Sequence, residues 1–359
     1  MLFNSWEFVL LVLLTVLIYY LPFLRRFQIF TLIFSSFIFY GYNSPHLLWL
    51  LVGSIFLNAI ITYLMRPKKS RRLLALCVIG VGLNLLVLMF FKYSPLIAKT
   101  FVLPLGNSEM GAFLVQIPLP IGISFFTFQG ISLVVDSYRS SSEGNSVLKP
   151  KQTAFSYFKE IGLFKSFFPQ LVAGPIVKAH EFLPQISDKK WKQVDWSSAF
   201  KALILGYFLK MVVADNLKDQ TFFIQYPFFE ALSGLNLLSL LFGYSMQIFA
   251  DFAGYSLIAI GLGLVFGYKL PINFDFPYIS QTFSEFWRRW HISLSTFLKS
   301  YLYIPLGGNR KGPARTYLNL MIVMFLGGLW HGAAWSYAVW GSFHGLALAV
   351  ERFLSLRVN

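Results

Sequence analysis

Apolar runs separated by short basic turns make up the first quarter of the chain. They cover approximately residues 5–23, 27–42, 45–65 and 73–91. Each run approaches the roughly 20 residues that cross a bilayer as an α-helix. Arg25 and Arg26 follow the first run, and the basic stretch RPKKSRR follows the third. The pattern predicts four membrane-spanning helices.

The two basic turns also predict the orientation of these helices. Lys and Arg are enriched in cytoplasmic loops, and two spans separate the turns, so both turns can face the cytoplasm. The N-terminus is then extracytoplasmic. The first run follows an acidic start at Glu7, and no small-residue cleavage site comes after it. We therefore expect a first span rather than a cleaved signal peptide.

The pattern becomes less regular after Lys92. The stretch VLPLGNSEMGAFLVQIPLPIGISFFTF has prolines around short apolar runs, and broken helices at membrane depth are tolerated only where protein covers them or they line a cavity. Polar loops are expected near 137–152 and after 186. Five further spans are predicted near residues 199–214, 232–250, 254–268, 316–330 and 334–352.

Residues 282–311 differ from these spans because their apolar positions recur every three or four residues. Thr282 and Glu285 have the spacing of a capping box, and Arg288 and Lys299 fall off the apolar stripe. The pattern predicts one amphipathic helix, ended near Pro305, with a basic exit on the cytoplasmic side. The stripe comprises Phe283, Phe286, Trp287, Trp290, Leu294, Phe297, Leu298 and Tyr301.

Composition narrows the class of protein. Of the 359 residues 56% are hydrophobic and only 13% are charged, about half the charged fraction of soluble domains. The net charge of +15 would suggest nucleic acid in a soluble protein, but here cytoplasmic loops and anionic lipid headgroups explain it. We expect a multi-pass membrane protein that contacts lipid and no nucleic acid. The single cysteine, Cys77, allows no disulfide within the chain.

Two histidines in hydrophobic surroundings are the first candidates for chemistry. His291 lies on the apolar stripe beside Trp290, and His331 follows Trp330 in FLGGLWHGAAW, where glycines allow a close approach of backbone or ligand. An ionisable side chain at membrane depth is costly, so it suggests function. Desolvation favours the neutral imidazole, which can act as a general base.

The alternative is that these histidines only satisfy buried hydrogen bonds. That alternative is weaker for two histidines that each follow a tryptophan, and stronger for His344, which lies 13 residues from His331 and on a different face of a continuous helix. His46 is expected at the interface and His180 in a loop, so neither is assigned a role.

Gln247 and Asp251 are further polar candidates inside an apolar stretch. Asp251 could orient a catalytic group, or it could simply pair with a basic residue and hold helices together. The sequence has no G-x-S-x-G, no P-loop, no H-E-x-x-H and no Cys/His metal spacing. These known catalytic and metal-binding motifs therefore do not help to assign a function.

Several long stretches closely resemble the membrane-bound O-acyltransferase family, in particular its bacterial alginate O-acetylation branch. The family's D-alanyl transfer protein of teichoic acid modification is a more distant relative. The resemblance covers nearly the whole chain. It rests on MLFNSWEFVL, PLPIGISFFTFQGISLVVDSYR, FFPQLVAGPIVKAHEFLPQ, FWRRWHISLSTFLKSYLYIPLGGNRKG and LGGLWHGAAWSYAVWGSFHG.

The resemblance implies an all-α polytopic membrane protein with one transmembrane domain over residues 1–359. That domain would place about nine to eleven spanning or re-entrant helices around a central funnel or tunnel, with amphipathic horizontal helices beside it. The family's near-invariant histidine corresponds to His331, and its second histidine to His291. An acyl group is expected to arrive from a cytoplasmic donor and leave toward an extracytoplasmic polysaccharide such as alginate, across a bacterial inner membrane.

In this interpretation His331 is the base, and His291 positions the donor or polarises its carbonyl. Trp330 and Trp290 wall the tunnel against water. Arg288 and Arg289 attract the anionic donor or, alternatively, anchor in headgroups. No bound cofactor is expected. Acetyl-CoA or another acyl thioester is the expected donor, and a periplasmic SGNH-like acetyltransferase or polysaccharide-modifying complex is the expected partner.

The chain departs from the family pattern in two places. Leu257 stands where relatives usually carry an Asp, so any role of that carboxylate is missing. Relatives usually continue well beyond the position of Asn359, so the domain is expected to be short at its C-terminal end. Two other classes of protein remain open: a carrier or channel built from broken helices, and an inactive scaffold of a polysaccharide-modifying complex.

Overall fold

The computed structural model describes residues 1–66, 71–143 and 152–358, and their regular structure is helical. In the first half the α-helices are α1 (Trp6–Tyr20), α2 (Gln28–Gly41), α3 (Leu48–Leu64), α4 (Arg71–Leu88), α5 (Ser94–Ile97), α6 (Ser108–Gln116), α7 (Ile123–Glu143) and α8 (Ala154–Ser166). In the second half they are α9 (Phe168–Leu171), α10 (Ala179–Phe182), α11 (Trp196–Tyr207), α12 (Asp215–Thr221), α13 (Gly234–Val265), α14 (Phe283–Arg289), α15 (Ile292–Leu298), α16 (Pro313–His331) and α17 (Trp335–Val358).

Several helical stretches are long and apolar enough to cross a membrane, which confirms the predicted all-α multi-pass membrane protein. Among the described residues these are Pro22–Gly41, Pro45–Leu64, Arg72–Val102, Trp196–Ile224 and Gly234–Val265, and α1 is a shorter apolar helix. Most of the basic stretch after the third span, residues 67–70, lies outside the described residues, as does 144–151 of the predicted polar loop.

One predicted boundary is wrong. The sequence suggested two spans near 232–250 and 254–268, but α13 is a single helix of 32 residues. Asp251 lies between these two predicted spans. The structure neutralises its charge, because the ammonium of Lys210 donates to the carboxylates of both Asp251 and Asp215 at 2.6 Å. A paired carboxylate no longer opposes continuation of the apolar helix.

Wider π-helical turns interrupt the helices at four places in the described chain. They are Met89–Tyr93, Ala98–Val102, Phe208–Ala214 and Lys299–Tyr303. Each of these segments carries a lysine. Such turns are rare and occur often at functional sites. Two of these lysines, Lys92 and Lys299, lie at the candidate active site described below.

The described residues divide into two compact units. The first comprises Met1–Leu48, Gly162–Val177 and Pro184–Asn273, and the second Trp49–Ile161, Lys178–Leu183 and Phe274–Asn359. In the first unit the rings of Phe3, Phe8 and Phe39 pack within 6 Å of one another. The second unit contains both candidate histidines, α14 to α17, and the π segments at 89–93 and 299–303. The predicted single domain and its central funnel stay predictions.

Glycines set the packing of α16 against α17 in the second unit. A Cβ on Gly328 would lie 2.2 Å from the Tyr337 carbonyl oxygen and 2.9 Å from the Gly341 Cα, so the two backbones are in direct contact. A Cβ on Gly332 would lie 2.2 Å from the Tyr337 ring. The close approach that these glycines predicted is therefore made by α17.

Candidate active site

The predicted amphipathic helix breaks at His291. Helix α14 ends at Arg289, Trp290 is extended, and His291 has φ 45° and ψ 52° before α15 begins at Ile292. This left-handed conformation is unfavourable for a residue other than glycine. The main-chain N–H of Asp275 donates to the Arg289 carbonyl at 3.0 Å. A tertiary contact thus accompanies the end of the helix, and no glycine or proline marks the break in the sequence.

Side chains fix the start of α14 on both sides. The Thr282 hydroxyl accepts from the Glu285 N–H at 3.1 Å, as its spacing predicted. The Glu285 carboxylate accepts from the Gln281 N–H at 3.0 Å. From α17, the Glu351 carboxylate accepts from the Ser284 N–H at 3.1 Å. Helix α14 is therefore held against α17 at Ser284, which also lines the cavity described below.

The break brings the two candidate histidines together. Their ring centroids lie 6.0 Å apart with the planes at 63°. His291 has no exposed surface, and its burial, with the nearby ring of His331 as a second cause, holds the pKa of the His291 imidazole well below its ordinary value. A neutral ring can accept as well as donate a hydrogen bond. The sequence predicted this pair as candidates but could not place them in contact.

Trp330 packs behind the histidines. Its ring lies 5.7 Å from that of His291 and stacks on Phe128 at 5.4 Å. Phe128 in turn stacks on Phe297 at 4.2 Å. This aromatic column is buried and links α7, α15 and α16. It fixes the position of the residue that precedes His331.

A cavity of about 550 Å³ opens beside His331. Arg288, Ser295 and Lys299 contribute its polar surface, while the tryptophans in its wall are Trp287 and Trp340. Its apolar wall is formed by α15, α16 and α17, through Leu294, Leu298, Leu320, Val323, Met324 and Leu348. The cavity combines two cationic side chains with an apolar wall, and that combination suits an anionic molecule carrying a short apolar group.

Arg288 and Arg289 have different surroundings. Arg288 is exposed and lines the cavity. Arg289 is half-buried, and its guanidinium contacts the carboxylates of Glu285 at 2.9 Å and Asp275 at 3.6 Å. The charge of Arg289 is therefore paired within the protein, whereas Arg288 presents its charge to the cavity.

Trp290 and His344 belong to an aromatic cluster next to this cavity. Trp290 stacks on Phe286 at 5.5 Å, and His344 packs edge-on to Trp287 at 5.2 Å and against Trp340 at 4.8 Å. The expectation that His344 faces elsewhere assumed a continuous helix. The chain instead turns between α16 and α17, so Trp340 contacts both His344 and His331.

Gln247 and Asp251 belong to the first unit, whereas the histidines belong to the second. Asp251 pairs with Lys210, as described above, and Gln247 accepts a short hydrogen bond from the Thr221 hydroxyl. Both contacts join α13 to the helical stretch 196–224. The structure therefore gives these two residues structural partners. Leu257 also lies on α13.

Sequence reasoning missed Lys92, although its charge within an apolar run was a signal. Lys92 is 8% exposed. Its ammonium donates to the Ser124 hydroxyl at 2.9 Å and makes a short hydrogen bond to the Trp330 carbonyl. The next residue, Tyr93, donates to the Leu329 carbonyl at 2.9 Å. Both residues thus contact the end of α16 that carries His331.

A second polar cluster, also missed, is centred on Asp136. Its carboxylate accepts from the Tyr301 hydroxyl at 2.8 Å and contacts the His180 Nδ1 at 2.8 Å. The hydrogen bond with Asp136 raises the pKa of His180 above its ordinary value. Tyr301 lies on the π segment whose Lys299 and Tyr303 line the cavity. Asp136 therefore anchors one wall of the cavity.

The fold and the site define a helical multi-pass membrane protein with a histidine pair at a cationic cavity, in which His291 is buried and His331 lines the cavity. A sequence profile of the membrane-bound O-acyltransferase family matches residues 34–359. The chain belongs to this family, as its motifs predicted. In the described residues no group of three or more His, Cys, Asp or Glu side chains is placed to hold a metal ion.

Curated relatives are acyltransferases. A peptidoglycan O-acetyltransferase of Helicobacter pylori is 40% identical over 346 residues, which are 90% of this chain and 64% of the relative. A probable alginate O-acetylase of Pseudomonas putida is 38% identical, covering 93% of this chain and 67% of its own length. A teichoic acid D-alanyltransferase of Bacillus subtilis is 26% identical, and the match covers 84% of this chain and 80% of that relative. The chain thus spans about two thirds of the length of the first two relatives.

Proposed function

We propose that this protein is an O-acyltransferase that uses a cytoplasmic acyl thioester, such as acetyl-CoA, to acetylate a hydroxyl group. The acetyl group would cross a bacterial inner membrane toward an extracytoplasmic polysaccharide. The observation that carries the proposal is the position of His331, which lines a cavity with Arg288 and Lys299 and contacts the buried His291. The names of the relatives support acetyl as the group and a polysaccharide as the acceptor.

His331 is the general base of the proposed reaction. Its neutral imidazole takes the proton of the attacking hydroxyl, the oxygen forms a bond to the thioester carbonyl carbon, and the carbon–sulfur bond breaks. The thiolate leaves and recovers a proton from the imidazolium, so the base is regenerated. The hydroxyl belongs to the acceptor or to a partner protein, such as an SGNH-like acetyltransferase of a polysaccharide-modifying complex. We favour direct transfer to that hydroxyl, without an acyl-enzyme intermediate.

The surroundings of His331 support this assignment. His291 is buried and left-handed beside it, an expensive arrangement that is typical of functional sites, and we assign it to orienting His331 and the donor. Trp287 and Trp340 line the cavity, where they exclude water that would hydrolyse the thioester. Trp330 and Trp290 support this wall from behind. Arg288 and Lys299 bind the phosphates of the donor.

Proteoliposomes that contain the purified protein and acetyl-CoA test the proposal. We expect release of free thiol from acetyl-CoA when a hydroxyl acceptor is present, and loss of this release in His331→Ala. In cells, the same substitution should remove base-labile acetyl esters from the envelope polysaccharide while the protein still accumulates in the membrane. If wild type and His331→Ala show the same esters and the same thiol release, the protein is instead a scaffold or carrier.

A further inference from the structure

The C-terminal turn of α16 needs partners from outside the helix. The last four carbonyls of an α-helix lack intrahelical hydrogen bonds, and α16 ends at His331, after which Gly332 is extended. The proposed base is therefore the last residue of its helix, where helices fray. A base that must meet a hydroxyl within hydrogen-bonding distance cannot tolerate such motion.

Two consecutive residues of one π segment supply these partners. Tyr93 donates to the Leu329 carbonyl, and Lys92 donates to the Trp330 carbonyl. The Lys92 ammonium is held by the Ser124 hydroxyl of α7 and lies 5.4 Å from the centre of the Trp330 ring. One π segment thus supplies donors to the two carbonyls that precede His331, and α7 supports one of these donors through Ser124.

A buried ammonium group is an expensive way to satisfy a carbonyl, since its desolvation is costly. It also provides what a neutral donor cannot, a positive charge at the negative end of the helix dipole. Lys92 is 8% exposed, and the residues that line the His331 cavity do not include it. The ammonium therefore acts on the helix end rather than on the donor.

We infer that Lys92, assisted by Tyr93, is the positioning residue for His331. It holds the last turn of α16 through the Trp330 carbonyl and so fixes where the imidazole meets the acceptor hydroxyl. This inference rests on the proposed function for its catalytic consequence. Its structural part, the holding of the helix end, can be measured without activity.

Lys92→Met tests the inference, with Lys99→Met as the matched control because Lys99 is exposed on the neighbouring π segment. We expect Lys92→Met to lower kcat about 10- to 100-fold, as a small misplacement of reacting groups does, with an unchanged KM for acetyl-CoA. Lys92→Arg should restore part of kcat. Lys99→Met should behave as wild type. Equal kcat in Lys92→Met and wild type would overturn the catalytic consequence.

Hydrogen exchange in detergent-purified protein tests the structural part. We expect faster amide exchange confined to residues 325–331 in Lys92→Met and, to a smaller extent, in Tyr93→Phe, which removes a single hydroxyl. Unchanged exchange in both variants would overturn the inference even if acyl transfer is confirmed. If Lys92→Met does not accumulate, Tyr93→Phe decides the outcome. If wild type shows no acyl transfer at all, the proposed function fails and the exchange result still stands.

Discussion

His331 and His291 differ in what they can touch. His331 lines the cavity. His291 has no exposed surface, and it is separated from the cavity by the ring of His331 that it contacts. His331→Ala should therefore lower kcat by roughly 100- to 10,000-fold, the usual loss for a general base. Steady-state transfer from acetyl-CoA, normalised to protein amount, measures this. A His331→Gln protein that accumulates normally and retains near wild-type transfer would contradict the assignment of His331 as the base.

His291→Ala should leave residual activity, because the base itself remains. Its second effect is structural, since the substitution empties a fully buried site. Cavity-forming substitutions in a core cost several kcal/mol, so we expect a lower melting temperature than in His331→Ala. Thermal unfolding and transfer measured on the same preparations separate the two effects. A His291→Ala protein with full activity would remove the orienting role.

The two neighbouring arginines form a matched pair. Arg288→Gln should raise the KM for acetyl-CoA about tenfold or more, since a charge-assisted hydrogen bond contributes about 1.5–3 kcal/mol. Arg289→Gln should leave KM unchanged and lower thermal stability instead, because Arg289 pairs with Glu285 and Asp275. Equal effects of both substitutions on KM would indicate that neither guanidinium contacts the donor specifically.

At the scale of elements, the packing of α16 against α17 determines the position of His331. Gly328→Ala would place a methyl group 2.2 Å from the Tyr337 carbonyl oxygen, so the helices must separate. We expect a loss of about 1–3 kcal/mol or more in stability, as for other overpacked sites, together with loss of transfer. Size-exclusion chromatography after heating measures the folded fraction.

Gly82→Ala is the control for that substitution. Gly82 also lies in a helix, α4, but a Cβ there would meet nothing within 4 Å. Alanine favours a helix over glycine by about 0.5–1 kcal/mol, so this variant should be as stable as wild type or slightly more stable. If Gly328→Ala is equally well tolerated, close packing of α16 and α17 is not required.

At the scale of the whole molecule, the positive-inside rule predicts which loops face the cytoplasm. The turn Pro22–Phe27 should be cytoplasmic, and the loop between α2 and α3 should be extracytoplasmic. In a Cys77→Ser background, Asn43→Cys should react with an impermeant maleimide on intact spheroplasts, whereas Phe23→Cys should react only after lysis. Both positions are exposed. The opposite pattern would reverse the orientation and the proposed direction of acetyl transfer.

The sequence by itself determined the class of fold, the family and the two histidines. Long apolar runs admit only helices in a bilayer, because no water satisfies an open backbone there. The motifs around His291 and His331 are long enough to identify the family without contacts. Charge in an apolar run also singled out Asp251, since such residues are rare without a partner, whereas the same signal at Lys92 was missed.

Only the tertiary structure decided how these residues meet. The left-handed turn at His291 accompanies a contact from Asp275, which lies in another part of the chain, so helical periodicity through this region predicted no break. The continuity of α13 follows from the pairing of Asp251 with Lys210, and the surroundings of His344 follow from the turn between α16 and α17. Periodicity in the sequence indicates which face of one helix is buried. A break in that helix, an ion pair or a close helix crossing depends on a partner residue from elsewhere in the chain.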